Sequence, residues 1–299
     1  MPATPITFFN RHTRQLETEA VYGEAFLRWA YEHPLGQVAL HALVKHPLFS
    51  RWYGWRMDRP ASRDKIQPFI DAYGLDCGQF ADPVESFRHF NDFFYRRLKP
   101  GARPIDAAPE ALVFPADGRH LLIQDVAACD HFFVKGTRFD LAALLADPDL
   151  AARFTHGDML ISRLCPVDYH RFHFPCGGVP GQPQAISGPL FSVSPIALQR
   201  RPGILWENKR CLTHMQSDVM GEVLYLEVGA TCVGTIIHTA PGDRPVFKGD
   251  EKGYFRFGGS CVITLYPPGR VQWDADLREH GAAHREVYAW MGERCGTIR

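Results

Sequence analysis

The chain has no apolar run close to the roughly eighteen residues that a membrane-spanning helix needs, so a bilayer span is not expected. It has no net charge, since 33 Lys and Arg balance 33 Asp and Glu. That balance removes the global basic field with which nucleic-acid binders gather phosphates, and no nucleic-acid partner is expected. The opening residues, MPATPITFFNRHTRQLE, lack a basic stretch followed by an apolar one, so no secretory leader is expected either. None of the eight cysteines, at 77, 129, 165, 176, 211, 232, 261 and 295, forms a Cys-x-x-Cys pair. Most sit in apolar or Gly-rich surroundings, which predicts reduced thiols in a reducing compartment. Repeats and low-complexity tracts are also missing. What is present, 299 residues at 45% hydrophobic and 22% charged, is a globular composition with room for one large domain or a core domain and an appendage.

The first hundred residues carry helical periodicity. Residues 19–32 place Tyr22, Phe26, Trp29 and Ala30 on one stripe that Pro34 should end, and residues 36–46 repeat the pattern up to Pro47. Residues 84–98 put Phe87, Phe90, Phe94 and Leu98 three and four apart, with Arg96 and Arg97 in the expected last turn, where cations suit the helix dipole. From about residue 101 the pattern changes. Gly and Pro now bound short runs rich in Val, Ile, Thr and Tyr (HLLIQDV, MLISRL, EVLYLEVGATCVGTIIH, GGSCVITLY), which predict strands of an antiparallel sheet or barrel. Residues 137–153 predict one or two short inserted helices. The expected class is α+β: a helical N-terminal region, 1–105, on a β-rich catalytic body, 106–299.

Trp29, Trp52 and Trp55 are three of the six tryptophans, and Arg51, Arg56 and Arg59 lie among the last two. Rings beside basic side chains suit a membrane headgroup layer, and they equally suit packing of helices onto the body.

Three segments hold polar groups in apolar surroundings. In VFPADGR (113–119), Asp117 precedes Gly118 at a strand-to-turn transition, which alone is an ordinary turn signal. In LCPVDYHRFHFPC (164–176), Asp168, His170 and His173 cluster. His170, His173 and Cys176 recur every third residue, as zinc ligands could, but a strand sends residues three apart to opposite faces and no fourth ligand stands at a metal spacing. No metal is expected, and proton transfer or simple structural hydrogen bonding remains for the histidines. In GYFRFGGSCVITL (253–265), Gly258 and Gly259 precede Ser260 at the mouth of a strand. Two glycines leave the Gly259 carbonyl open to the Ser260 hydroxyl, which could serve an external acyl substrate or attack its own preceding peptide bond. The Gly-x-Ser-x-Gly elbow of the α/β-hydrolases is absent.

At these residues the chain resembles the phosphatidylserine decarboxylase family. FGGSC (257–261) is similar to the family's Gly-Ser self-cleavage signature, CPVDYHRFHFP (165–175) to its histidine motif and PADG (115–118) to its aspartate motif. FNDFFYRRLKPGARPI (90–105), FVKG (133–136), VGATCVGTI (228–236) and FKGDEKGYFRFGG (247–259) follow in family order. Cys261 departs from the pattern, where most members carry threonine.

The resemblance implies a proenzyme that cuts itself between Gly259 and Ser260. Ser260 attacks the Gly259 carbonyl, His173 takes the serine proton, Asp117 orients His173, and the residue at 260 becomes a covalent pyruvoyl cofactor. The fragments 1–259 and 260–299 should stay associated. The pyruvoyl group then serves decarboxylation of phosphatidylserine to phosphatidylethanolamine, with His170 as the proton donor. It also implies a partner membrane surface, peripheral attachment to the cytoplasmic face of a bacterial cell membrane, and a homodimer. A decarboxylase of soluble, for instance aromatic, amino acids on the same scaffold is the alternative, as is an uncleaved peripheral membrane protein.

Overall fold

Strand Ser260–Tyr266 is buried along its whole length, which is why its sequence reads as a continuous apolar run. Alternation sends Cys261, Ile263 and Leu265 into one core and Val262, with Ser260, to the opposite face. In the computed structural model, which describes residues 5–129, 131, 132, 134, 135, 138–231, 236–258 and 260–299, this strand lies in the middle of a ten-stranded sheet. Its neighbours are Gly221–Val228 and Asp158–Leu164, both antiparallel. Beyond the first lie Arg210–Ser217 and the edge strands Gln184–Ile186 and Val179–Pro180. Beyond the second lie Gly118–Ile123 and Val287–Ala289, and then a hairpin of Thr7–Asn10 and Gln15–Thr18. Thr7–Asn10 pairs with Val287–Ala289 in parallel. Part of the N-terminal region is therefore built into the β body.

A three-stranded sheet, Ile236–His238, Glu251–Phe255 and Arg171–His173, covers the Ser260 face. Phe172 and Phe255 from this layer pack with Leu164, Tyr225 and Val262 from the large sheet. The other face of the large sheet is covered by helices, including Leu141–Leu145 and Pro148–Phe154, the two expected within 137–153.

The N-terminal helices run Glu24–Glu32, Pro34–Ala39, Pro47–Met57 and Ile66–Tyr73. Pro34 and Pro47 begin helices here as well as end the preceding segments, because the first helical position needs no N–H and suits proline's fixed φ. The helix expected over 84–98 shrinks to Phe90–Phe94. His89 is extended and its Nδ1 accepts the Asp92 N–H, while the Phe90 N–H donates to Ser62 Oγ. These side-chain bonds replace the helical ones upstream, and an aromatic cluster of Phe69, Phe80, Phe87, Phe90, Phe93, Phe94 and Phe257 holds the segment in place. Arg96 and Arg97 consequently do not lie in a last helical turn. Arg96 is buried, its guanidinium over the Phe80 and Phe93 rings.

Candidate active site

Ser260 is fully buried at the head of its strand, and its Oγ lies 3.2 Å from His170 Nδ1. His170 precedes strand Arg171–His173, so the covering sheet delivers the ring to the serine. The other ring nitrogen, Nε2, lies 2.8 Å from the Cys165 carbonyl oxygen. A carbonyl only accepts, so Nε2 carries the proton and Nδ1 presents its lone pair to the serine hydroxyl. Phe94 stacks on the imidazole at 3.9 Å between ring centres. Burial, and then the charge of Arg96, push the His170 pKa down to about 3, so the ring is neutral at physiological pH.

His173 lies three residues on but does not share this contact. Its Nδ1 is 2.9 Å from the Gly249 carbonyl, and its buried Nε2 has no hydrogen-bond partner among the described residues. Burial lowers its pKa as well. The His173 N–H donates to Pro115 O at 2.7 Å, which sets the histidine and aspartate segments side by side. Asp117, itself buried, accepts from Arg103 Nε and Nη2 at 2.8 and 2.6 Å and from the Met291 N–H at 2.9 Å. It does not hydrogen-bond to His173. Gly118 follows because a Cβ there would stand 2.5 Å from the Arg163 carbonyl oxygen. Gly259, the other half of the expected cleavage site, lies outside the described residues, as do Cys232 and parts of FVKG and VGATCVGTI.

The structure thus brings Ser260 and His170 together, and it sets Asp117 and His173 on neighbouring backbones without joining their side chains. Cys176 is elsewhere, in the core around Phe174 and Tyr266. His170, His173 and Cys176 therefore do not converge as a zinc site would require. Among the described residues, the one grouping of three metal-capable side chains is Cys211, Glu227 and His238, and there Lys252 and His238 already engage the Glu227 carboxylate.

Several residues around the site were not singled out from the sequence. Arg103 clamps Asp117, Arg119 clamps Asp168, and Arg163 bridges Glu19 and Glu286 in the interior. No spacing rule marks such partners, which are far apart in the chain. Their only signal is charge inside otherwise apolar strands, as in MLISRL.

An apolar cavity of about 630 Å³ reaches the site from the N-terminal helices. Its lining includes Phe26, Phe49 and Trp52 from the N-terminal helices and Cys165, Val167, Phe257 and Gly258, the last lying two residues before Ser260 in the chain.

A serine hydroxyl held against a neutral histidine in a dry core is equipped for chemistry in which that hydroxyl is the nucleophile. A family model described as phosphatidylserine decarboxylase matches residues 90–297. The chain is 41% identical over 292 residues, 98% of each chain, to a phosphatidylserine decarboxylase proenzyme of Desulfitobacterium hafniense (strain Y51). It is 40% identical to proteins of the same name from Fusobacterium nucleatum, over 98% of this chain and 97% of that one, and Chlamydia pneumoniae, over 97% and 96%. The chain belongs to the phosphatidylserine decarboxylase family, a family of carboxy-lyases.

Proposed function

We propose that this chain is made as a proenzyme, cuts itself between Gly259 and Ser260, and decarboxylates phosphatidylserine to phosphatidylethanolamine through a pyruvoyl group derived from Ser260. The observation that carries this reading, in a chain of this family, is the buried 3.2 Å contact between Ser260 Oγ and His170 Nδ1 beside an apolar cavity.

In the cut, Ser260 Oγ bonds to the Gly259 carbonyl carbon, the Gly259–Ser260 C–N bond breaks, and the serine proton passes to the freed nitrogen. Elimination then frees Gly259 as a carboxylate, and hydrolysis releases the nitrogen as ammonia. His173, oriented by Asp117, takes the serine proton, which requires Asp117 to turn from Arg103. The unpartnered, buried Nε2 of His173 supports this role, because it is a base with nothing yet bound to it. The pyruvoyl group supplies an electron sink for the carbon that loses its carboxylate. The surroundings of residue 260 fit such a group: it heads an interior strand and is shielded from water. His170 stays beside position 260 after the cut; its Nδ1 takes up a proton that the substrate's ammonium group gives up and returns it to the substrate carbon. The fragments remain together because Ser260–Tyr266 is paired on both sides.

A second reading, favoured by the same 3.2 Å contact, lets His170 take the serine proton during the cut. The two readings differ in whether a His170→Ala chain cuts itself.

The lipid is reached by peripheral attachment, on the cytoplasmic face of a bacterial membrane. No helix among the described residues is long and apolar enough to cross a bilayer. Leu48, Trp52 and Trp55 on helix Pro47–Met57 are at least half exposed. Arg56 lies over Trp52 and Arg59 over Trp55, at 5.3 and 4.1 Å. Apolar rings with basic partners suit an anionic headgroup layer, and Trp52 also lines the cavity mouth. The homodimer rests on the family resemblance alone and is checked by sedimentation.

The test is the denatured mass of the purified chain beside a Ser260→Ala control, followed by assay on phosphatidylserine vesicles and on free serine and tryptophan. Two fragments, the smaller blocked at its N-terminus, and phosphatidylethanolamine as product are expected. A single 33.8 kDa species in both samples overturns the reading.

A further inference from the structure

His170 can serve position 260 through Nδ1 only while its proton stays on Nε2, and the partner that keeps it there is the Cys165 carbonyl. That carbonyl belongs to the turn Cys165–Asp168, and Asp168 holds the Cys165 end of the turn. Asp168 Oδ2 accepts the Cys165 N–H at 2.6 Å, and the Asp168 N–H donates to Cys165 O at 2.9 Å. The Cys165 peptide is therefore gripped at both ends by one residue. Its carbonyl has two lone pairs, one taken by the Asp168 N–H and the other by His170 Nε2–H.

Asp168 is itself tied to the middle of the large sheet. Arg119 Nη1 lies 2.9 and 2.7 Å from the two Asp168 carboxylate oxygens. Arg119 stands on strand Gly118–Ile123, its guanidinium between the rings of Phe8 and Tyr288 at 5.0 and 4.9 Å. Arg96 Nη2 adds contacts to the Val167 and Asp168 carbonyls at 3.3 and 3.4 Å. A planar, always-charged side chain stacked between two rings is a rigid anchor. The path runs from the sheet through Arg119 and Asp168 to the Cys165 peptide, and from there to His170 and residue 260.

We infer that Asp168, anchored by Arg119, is a positioning residue for His170: it sets the Cys165 carbonyl so that the imidazole keeps its proton on Nε2 and presents Nδ1 to residue 260. The inference rests on the decarboxylase reading for its kinetic consequence, but the tautomer itself does not depend on activity. Asp168 has no hydrogen bond to Ser260 and is not itself among the residues lining the cavity, and its effect passes through the backbone of Cys165. An ion pair that merely stabilised the fold would have no bearing on which ring nitrogen carries the proton.

The test uses the full-length Ser260→Ala chain with ¹⁵N-labelled histidine. Long-range ¹H–¹⁵N correlations report each ring's tautomer, and the His170 signals are assigned by their loss in His170→Gln. The Nε2–H tautomer is expected for His170 even without the serine hydroxyl. Adding Asp168→Asn should convert it to an averaged mixture of tautomers, with the other histidine signals unmoved. In the self-processing background, Asp168→Asn should lower kcat per cleaved chain on the order of 100-fold at little-changed KM, the scale of a misplaced catalytic group. An Nδ1–H tautomer in the parent overturns the inference, and so does a fixed Nε2–H tautomer in Asp168→Asn, whatever its kcat. Should Asp168→Asn fail to fold, Arg119→Lys, which keeps the charge but loses the planar anchor, is expected to give the same mixing, and the parent tautomer remains decisive. Failure of the decarboxylase reading looks different: the processed parent makes no phosphatidylethanolamine while the tautomer is unchanged.

Discussion

Ser260 Oγ and His170 Nδ1 meet at 3.2 Å across two different sheets, the serine from the middle of the ten-stranded layer and the histidine from the three-stranded layer that covers it. Phe172 and Phe255 pack the layers together beside this contact, so core packing, together with the Cys165–Asp168 turn that holds His170, sets the separation of the two groups. A site built in this way excludes water before any substrate arrives. Its chemistry should therefore respond sharply to changes of shape as well as to changes of functional group.

Removing the nucleophile is the plainest case. Ser260→Ala should remain a single chain of 33.8 kDa and make no phosphatidylethanolamine, while the parent separates into 1–259 and 260–299 under denaturing conditions. Intact-mass measurement decides it, and any cut Ser260→Ala chain would remove Ser260 from the cleavage step.

The two histidines should separate functionally. On the proposed division of labour, His173→Ala stays uncut, whereas His170→Ala cuts itself and loses decarboxylation by about 100-fold or more, starting at the lower end of what general acid–base catalysis supplies. A gel and a product assay on each variant are sufficient. An uncut His170→Ala chain would transfer the serine proton to His170.

Acid should weaken the proenzyme partly through His170. Its folded pKa is held down to about 3, by burial first and Arg96 second, against 6.5 for the ordinary side chain. Between those values the unfolded chain binds a proton that the folded chain refuses, so stability is present above about pH 6.5 and falls as pH drops toward 3. His120, buried and also held down to about 3, acts in the same direction. The measurable quantity is therefore a difference within the uncut Ser260→Ala chain: its urea midpoint should fall more steeply than that of the same chain carrying His170→Gln between pH 7 and pH 4. Parallel slopes would show that His170 does not titrate this way.

Arg163 is buried between Glu19 and Glu286, with Nη2 2.6 Å from a carboxylate oxygen of each. Arg163→Met leaves two carboxylates uncompensated in the interior, and loss of about 3–5 kcal/mol is expected. Urea unfolding measures it. A loss below about 1 kcal/mol would mean that the glutamates find other partners, such as Arg119, 3.8 Å from Glu19.

The exposed rings and leucine of helix Pro47–Met57 should act at the bilayer. Leu48 and Trp55 are 75% and 52% exposed, so Leu48→Ala and Trp55→Ala should leave the melting temperature unchanged. Each should weaken binding to phosphatidylserine-containing vesicles roughly tenfold, the worth of one large apolar side chain moved into an apolar layer. Unchanged vesicle sedimentation would place the membrane contact elsewhere.

Much of the candidate site's residue make-up was legible in the sequence. Ser260 after two glycines, the His170 and His173 pair and the Asp117–Gly118 turn all stood out as polar groups among apolar neighbours, and the short apolar runs marked their strands. Local pattern failed where distant partners competed with it. Residues 84–98 carry a helical period, yet Ser62 and His89 take the N–H groups of Phe90 and Asp92, and the phenylalanines pack as a cluster around Phe257. The hairpin of residues 7–18 was likewise hidden, because its place beside Val287–Ala289 depends on a parallel pairing across nearly the whole chain.

By itself the sequence determined the α+β class, the apolar strands and the residue types able to act at the site, since these follow from alternation, turn chemistry and side-chain functional groups that are local in the chain. Only the tertiary structure decided that His170, and not His173, touches Ser260, that Arg103 occupies Asp117, and that Asp168 holds the Cys165 carbonyl. Those pairings join residues from separate layers. Which buried donor meets which acceptor is settled by how the sheets stack, and no spacing along the chain encodes that distance.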